Sequence, residues 1–192
     1  MIKEHILKSI NVKQKLSEDA VFLSKIEQIT NDMVDCYNNG GKVLFCGNGG
    51  SAADAQHLAA ELSGRYYIDR PSLFAEAIHV NSSYITAVAN DYSYDEIYSR
   101  YISGAGKQGD MLIAISTSGN STNIVNAVKV AKDNKMTTVA FTGDTGGQLK
   151  ELADYLLNVP CKDTPIVQES HIMIGHIICE IVEAKLFSNL KS

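Results

Sequence analysis

Hydroxyl-bearing side chains are concentrated in residues 116–121, which read STSGNS and follow the apolar run at 111–115. The hydroxyls belong to Ser116, Thr117, Ser118 and Ser121. A phosphate group offers several acceptor oxygens, and hydroxyls, free backbone N–H groups and the positive end of a helix supply matching donors. A helix cap would explain one hydroxyl but not all of them. The segment therefore favours a phosphate site built from neutral donors.

A second candidate loop at residues 46–52 reads CGNGGSA and lies between an apolar strand and a helical pattern. Glycines let the backbone turn sharply and approach a ligand closely. Ser51 then stands where a hydroxyl can either cap the helix or bind an anion. A tight turn with a serine cap explains the loop about as well as an anion site does.

The residues of this loop do not match either of two common nucleotide-binding motifs. A Walker loop requires a lysine before the Ser or Thr, and none is present. A dinucleotide fingerprint requires GxGxxG and an acidic residue after the next strand, but here the third glycine comes one residue early. The second strand ends in His79, Val80 and Asn81, without an acid. A nicotinamide cofactor is therefore disfavoured.

Groups that could transfer protons or bind a metal lie on two predicted helices. His57 and Glu61 are four residues apart and share a helix face, so they could form an acid–base pair or hold a metal, although an exposed helical pair is equally common. Gln168, His171 and His176 lie on a long apolar helix. A lone histidine there favours a structural role, but three polar positions together favour function.

Apolar strands alternate with helices along the rest of the chain, which predicts a parallel sheet covered on both faces. The predicted strands are at 42–46, 74–80, 111–115, 136–141 and 155–159. The predicted helices are at 52–63, 84–89, 94–103, 121–134 and 165–188, with a short helix after 146–147. Ligands of open α/β sheets bind at the carboxyl ends of the strands. The two loops described above follow the first and third strands.

Helical periodicity also covers residues 2–38, where Ser17 is a candidate cap for a second helix. We expect one domain over residues 1–192, with the helical segment at about 1–39 packed on an α/β core at about 40–192. The expected architecture is a three-layer αβα sandwich with a five-stranded parallel sheet.

The composition excludes several classes of protein. The net charge of −5 argues against a general nucleic-acid or anionic-membrane binder. The four cysteines form no CxxC pair, which predicts reduced thiols in a cytoplasmic protein. The N-terminus lacks the apolar core of a signal peptide, and no apolar run is long enough to span a bilayer.

Together these motifs resemble the sugar isomerase (SIS) domain and, within it, the phosphoheptose isomerase family. The resemblance covers nearly the whole chain and predicts a flavodoxin-like strand order. It rests on CGNGGSAADAQHLAAELSGRY at 46–66, AVANDYSYDEIYSRY at 87–101, ISTSGNS at 115–121 and QESHIMIGH at 168–176. ISTSGNS is typical of SIS domains in general, whereas the first and last stretches narrow the resemblance to phosphoheptose isomerases and their non-catalytic relatives.

The resemblance implies an isomerase that converts sedoheptulose 7-phosphate to D-glycero-D-manno-heptose 7-phosphate for bacterial surface heptoses of lipopolysaccharide or capsule. It also implies a homotetramer, often with zinc in the site. The implied phosphate contacts are Ser51, Ser116, Ser118 and Ser121. The implied contacts to the rest of the substrate are Asn48, Gly49, Gly50, Glu61, Asn90, Asp91, Thr117 and Gln168. Glu61 is the implied base, His176 the implied acid, and the implied zinc ligands are His57, Glu61, Gln168 and His176.

The spacing of two implied ligands predicts composite sites. Gln168 and His176 are eight residues apart, about 12 Å along a helix axis, so one ion could hardly be reached by both from the same helix. If both are ligands, they come from different chains. The alternative function is a non-catalytic SIS-domain regulator that binds a protein partner such as the replication initiator. The presence of both Glu61 and His176 favours catalysis.

Two further readings of the SIS resemblance require parts that this sequence does not contain. Arabinose 5-phosphate isomerases usually carry extra C-terminal domains, and a sugar-binding transcription factor requires a DNA-reading module. Neither kind of segment occurs within the 192 residues. Both hypotheses are therefore weaker than that of a phosphoheptose isomerase.

Overall fold

The computed structural model describes residues 1–190, so the last two residues of the predicted domain lie outside it. Two helices open the chain, α1 at Ile2–Glu18 and α2 at Ala20–Asn38. The predicted cap, Ser17, is wrong: its hydroxyl donates to a carbonyl within α1. Asp19 caps α2 instead, because its extended backbone lets one carboxylate oxygen accept two N–H groups of the first turn, each at 3.0 Å.

The sheet has five parallel strands in the order β2-β1-β3-β4-β5, which confirms the flavodoxin-like prediction. The strands are β1 at Val43–Gly47, β2 at Ala75–Ala77, β3 at Met111–Ile115, β4 at Thr137–Thr142 and β5 at Tyr155–Asn158. The order reverses between β1 and β3. Because Gly47 pairs with Ile115, the loops that follow these two strands leave the sheet side by side.

The remaining helices connect and cover the strands. They are α3 at Gly50–Ser63, α4 at Ser82–Asp91, α5 at Ile97–Ala105, α6 at Thr122–Asp133, α7 at Leu149–Leu152 and α8 at Thr164–Leu186, with a 3₁₀ turn at Tyr94–Glu96 before α5. Within residues 1–190, no helix combines the length and apolar character required to cross a bilayer.

Side chains of the buried strands alternate between two apolar cores, one on each face of the sheet. In β1, Val43 and Phe45 pack with α2, α3 and α8, whereas Leu44 and Cys46 pack with α5 and α6. This alternation follows from the period of two along a strand. The structure therefore has the three αβα layers that the sequence predicts, with α8 as a buried apolar helix.

The second strand is shorter than its sequence pattern predicts. The apolar residues Phe74 and Val80 lie outside β2 and are 58% and 50% exposed. Among the strands of residues 1–190, β2 lies at the sheet edge and pairs with β1 alone, and the N–H of Val80 turns back to the carbonyl of Ala77. Apolar residue type alone overestimated the strand because an edge offers no second partner.

Candidate active site

The predicted phosphate segment forms a hydroxyl cluster at the carboxyl end of β3. The hydroxyl of Ser116 lies 3.1 Å from that of Ser121 and 3.5 Å from that of Ser118. Ser121 precedes α6 in the cap position, but its side chain forms no capping hydrogen bond. Its hydroxyl therefore remains directed into the cluster, at the positive end of a helix.

Gly119 gives this loop its shape. The residue has a φ of +67°, and a Cβ at this position would lie 2.0 Å from the carbonyl oxygen of Gly146. Only glycine fits such a close approach to the loop that follows β4. Thr117 and Ser118 line a cavity of about 230 Å³, whose other wall includes Asp144 and Lys162. The sequence alone does not point to Lys162, because its place in this wall depends on the meeting of two distant loops.

The glycine loop after β1 turns as the sequence predicts. Gly49 has a φ of +56°, and a Cβ on Gly47 would lie 2.4 Å from the carbonyl oxygen of Ser51. Ser51 itself is only 4% exposed. The two glycines therefore let the chain enter α3 with Ser51 facing inward at the first turn.

Asn48 connects the glycine loop to the hydroxyl segment. Its side-chain amide exchanges two hydrogen bonds of 2.9 Å with the amide of Asn123, in the first turn of α6. The Tyr94 hydroxyl donates to the same Asn48 oxygen at 3.1 Å. Sequence reasoning missed both partners. A buried asparagine on the apolar face of α6 was the one signal that could have identified Asn123.

Three of the four implied zinc ligands lie together where α3 packs on α8. Nε2 of His57 lies 3.0 Å from Oε1 of Glu61 and 3.3 Å from Nε2 of His176. A Cβ on Gly175 would lie 2.4 Å from a methyl of Leu58, so glycine lets the two helices approach closely at this point. That approach brings His176 against His57.

The donor atoms of this cluster fit a zinc ion. One atom from each of the three residues lies within 4.8 Å of the others, and two imidazole nitrogens with one carboxylate oxygen form a common catalytic zinc set that leaves a fourth position open. The same groups could also serve as a base and an acid. The geometry is compatible with both roles.

The fourth implied ligand lies apart from this cluster. A Cβ on Gly50 would lie 2.5 Å from Nε2 of Gln168, so the glutamine packs at the start of α3. His57 comes seven residues later, about 10 Å along the helix axis. Asn90 and Asp91 end α4, where they are exposed and joined by a hydrogen bond of 2.9 Å.

His171 has the structural role expected of a lone histidine on this apolar helix. It is fully buried, and its Nε2–H donates to the carbonyl oxygen of Thr142 at 3.0 Å. Burial lowers the pKa of His171 to about 4, against the opposing effect of this hydrogen bond. The side chain is therefore neutral near pH 7 and cannot act as the acid.

Comparison with known proteins identifies the family of this chain. The family model described as the SIS domain matches residues 10–143. The chain is 50% identical to the phosphoheptose isomerase of Aneurinibacillus thermoaerophilus over 188 residues, which cover 98% of this chain and 95% of the relative.

Solved structures of phosphoheptose isomerases have the same fold. The structure from Neisseria gonorrhoeae is 40% identical with a TM-score of 0.89, and the match covers 95% of this chain and 97% of that one. The structure from Francisella tularensis is 37% identical with a TM-score of 0.90, covering 94% and 95%. With its fold, motifs and near-complete coverage in agreement, the chain belongs to the phosphoheptose isomerase family of SIS-domain proteins.

Proposed function

We propose that this protein isomerises sedoheptulose 7-phosphate to D-glycero-D-manno-heptose 7-phosphate, a reaction that supplies heptose for bacterial surface polysaccharides. The observation that carries the proposal is the cluster of Glu61, His57 and His176, which supplies a carboxylate and two imidazoles at one point. Relatives at 50% identity that carry the isomerase name support the catalytic function over the alternative of a protein-binding regulator.

The substrate phosphate binds the hydroxyls of the two loops. The proposed phosphate contacts are Ser51, Ser116, Ser118 and Ser121. The proposed sugar contacts are Asn48, Gly49, Gly50, Glu61, Asn90, Asp91, Thr117 and Gln168. Support comes from the 3.1 Å and 3.5 Å separations among the serine hydroxyls, which are short enough for several donors to converge on one phosphate group. The reciprocal amide pair of Asn48 holds that side chain in a fixed orientation for the sugar.

The reaction moves one proton between neighbouring carbons. Glu61 removes a proton from C1 of the ketose, and the electron pair of the broken C–H bond forms the C1–C2 double bond of an enediolate. His176 protonates O2, takes up the proton that O1 releases and delivers a proton to C2, which leaves the aldehyde at C1. The proton on Glu61 then passes through solvent to His176, so both residues return to their starting states. The rate gain expected from one well-placed acid–base group is about 10²- to 10⁴-fold.

We propose that His57, Glu61 and His176 hold a zinc ion together with Gln168. Zinc would polarise the substrate carbonyl and stabilise the developing negative charge. A carboxylate that binds zinc is a weaker base, so Glu61 serves either as a zinc ligand or as the base at a given moment. Chelation distinguishes the role of Glu61 as base from its role as zinc ligand, because activity that survives removal of the metal requires no zinc.

The placement of Gln168 supports sites shared between subunits of a homotetramer. Within one chain, Gln168 lies at the start of α3, about 10 Å along the helix axis from His57 and farther from Glu61. A Gln168 from a neighbouring chain completes the ligand set. An active monomer would contradict this arrangement.

The remaining proposals concern the chain as a whole. Residues 1–192 form one domain, with the segment at 1–39 packed on the core at 40–192, and the protein acts in the cytoplasm. The packing of α2 on α8 supports the first proposal. The second is supported by four free cysteines, three of them buried, as expected of a reducing compartment.

The test is turnover of sedoheptulose 7-phosphate by the purified protein, with the product identified by NMR. We expect Glu61→Gln to lose activity while the substrate still binds, and Glu151→Gln, an exposed change on α7, to keep it. No turnover by the intact, metal-loaded wild-type oligomer would reject the isomerase and favour the regulator.

A further inference from the structure

A buried carboxylate near the end of α8 binds the loop that leaves α3. Glu183 is 1% exposed, and its two oxygens accept the backbone N–H groups of Tyr66, Tyr67 and Ile68 at 2.9, 2.7 and 2.9 Å. Burial opposes ionisation, but these three bonds and a neighbouring guanidinium outweigh it and lower the pKa of Glu183. A charged Glu183 therefore holds residues 66–68 in place.

The neighbouring guanidinium belongs to Arg70, which connects Glu183 to the last turn of α3. Its Nε donates to Glu183 at 2.9 Å. Its remaining nitrogens donate to the carbonyls of Glu61 at 2.9 Å and Leu62 at 2.7 Å, and to Gly64 at 3.2 Å. The last carbonyls of a helix have no partner within the helix, and Arg70 satisfies those at the end of α3.

Both helices that carry the proposed catalytic groups are bound by this ion pair. Arg70 holds the backbone of Glu61 itself on α3. Glu183 comes seven residues after His176 on α8, two turns along the same face. Between them, the ring of Tyr66 lies 5.9 Å from the ring of His176, and the backbone of Tyr66 is one of the groups that Glu183 binds.

We propose that Arg70 and Glu183 are positioning residues, which fix Glu61 and His176 relative to each other for proton transfer and metal binding. The proposal rests on the proposed function, because it assigns these two residues to the same site. In this proposal neither the Arg70 nor the Glu183 side chain contacts the substrate. They act through the backbone of Glu61 and through the loop that packs Tyr66 on His176.

The chain offers a matched control at the other end of the sheet. Asp110 is 3% exposed and accepts the backbone N–H groups of Lys42 at 3.0 Å and Lys107 at 2.8 Å, together with the Lys42 ammonium. It is also a buried carboxylate that binds backbone and one cation, but it lies before β3 rather than beside α8. A role in stability alone predicts the same behaviour for both carboxylates.

The experiment compares Glu183→Gln with Asp110→Asn in the full-length oligomer. Thermal unfolding, kcat and KM for sedoheptulose 7-phosphate, and zinc affinity by calorimetry are measured for each. We expect both variants to unfold at lower temperature. We expect only Glu183→Gln to lose kcat and zinc affinity, each by about 10- to 100-fold, as outer partners of metal ligands do. Equal losses in both variants, or none in Glu183→Gln, would overturn the proposal.

A second variant covers the outcome in which Glu183→Gln does not fold. Replacing Arg70 and Glu183 together by Met and Leu leaves no unpaired buried charge, so the remaining loss of stability comes from the backbone N–H groups and carbonyls that lose their partners. We expect a folded protein with the same loss of kcat and zinc affinity. Glu183→Asp keeps the charge and should recover part of both. A folded double variant with wild-type kcat and zinc affinity contradicts the proposal.

The readouts also separate this inference from the proposed function. A wild type that binds zinc without turning over the substrate rejects the isomerase, while the zinc affinities of the variants still decide the positioning role. A wild type that neither binds zinc nor turns over the substrate rejects both.

Discussion

The two ends of the parallel sheet use polar groups in opposite ways. At the amino end, the carboxylate of Asp110 binds Lys42 and Lys107, all within the protein. At the carboxyl end, the hydroxyls of Ser116, Ser118 and Ser121 face one another, and Ser121 leaves α6 without a side-chain cap. At the amino end the polar groups bind one another, whereas at the carboxyl end the serine hydroxyls remain available as donors to a ligand.

Breaking the amino end gives the largest expected change in stability. Asp110→Asn removes a buried charge and leaves the Lys42 ammonium without its partner, which should lower the free energy of unfolding by about 3–5 kcal/mol. Denaturant unfolding measures this change. The kcat of the surviving native protein should equal that of the wild type, and a reduced kcat would show that the two ends are coupled.

A pH titration of stability sharpens the comparison at the carboxyl end, where the buried His171 donates one hydrogen bond to Thr142 beside the proposed ligand-binding groups. Its pKa falls from 6.5 to about 4 on folding, so the unfolded chain binds more protons between these values. Stability is complete above pH 6.5 and decreases as the pH falls towards 4, by about 3 kcal/mol in total.

The variant His171→Gln tests whether His171 causes this loss of stability. The glutamine amide can still donate to the carbonyl of Thr142, but it does not titrate. Denaturant unfolding at several pH values should show a shallower slope between pH 6.5 and 4 than in the wild type. An unchanged slope would mean that another group causes the loss.

Removing one hydroxyl of the cluster gives the smallest expected change. Ser121→Ala should raise KM for the sugar phosphate about tenfold, as expected for one hydrogen bond to a charged group, with little change in stability. Steady-state kinetics at fixed pH measures it. Ser103→Ala, at an exposed position of α5, provides the control, and an equal KM in the two variants would argue against a phosphate site in this loop.

The sequence predicted local features better than long-range partners. The STSGNS and GNGGS segments lie at the carboxyl end of the sheet because strand order and connection rules follow from apolar runs. The extent of β2 was wrong because Phe74 and Val80 are apolar but exposed at an edge. The cap at Ser17 was wrong because Asp19, two residues later, offers a carboxylate in extended backbone.

Spacing in the sequence predicts only some of the contacts among the candidate site residues. His57 and Glu61 share a helix turn, so their proximity followed from spacing, whereas the approach of His176 depends on Gly175 packing on Leu58. No periodicity relates Arg70 to Glu183, which are 113 residues apart in sequence. Such partners are determined by how α3 and α8 pack, and no short sequence segment predicts that packing.

The most direct test of the central claim is isomerisation of sedoheptulose 7-phosphate in D₂O. Transfer through Glu61 and His176 by way of an enediolate predicts deuterium at C2 of the aldose made by the wild type, and no aldose from Glu61→Gln. A fully protonated C2 in the wild-type product, or normal turnover by Glu61→Gln, would contradict the account.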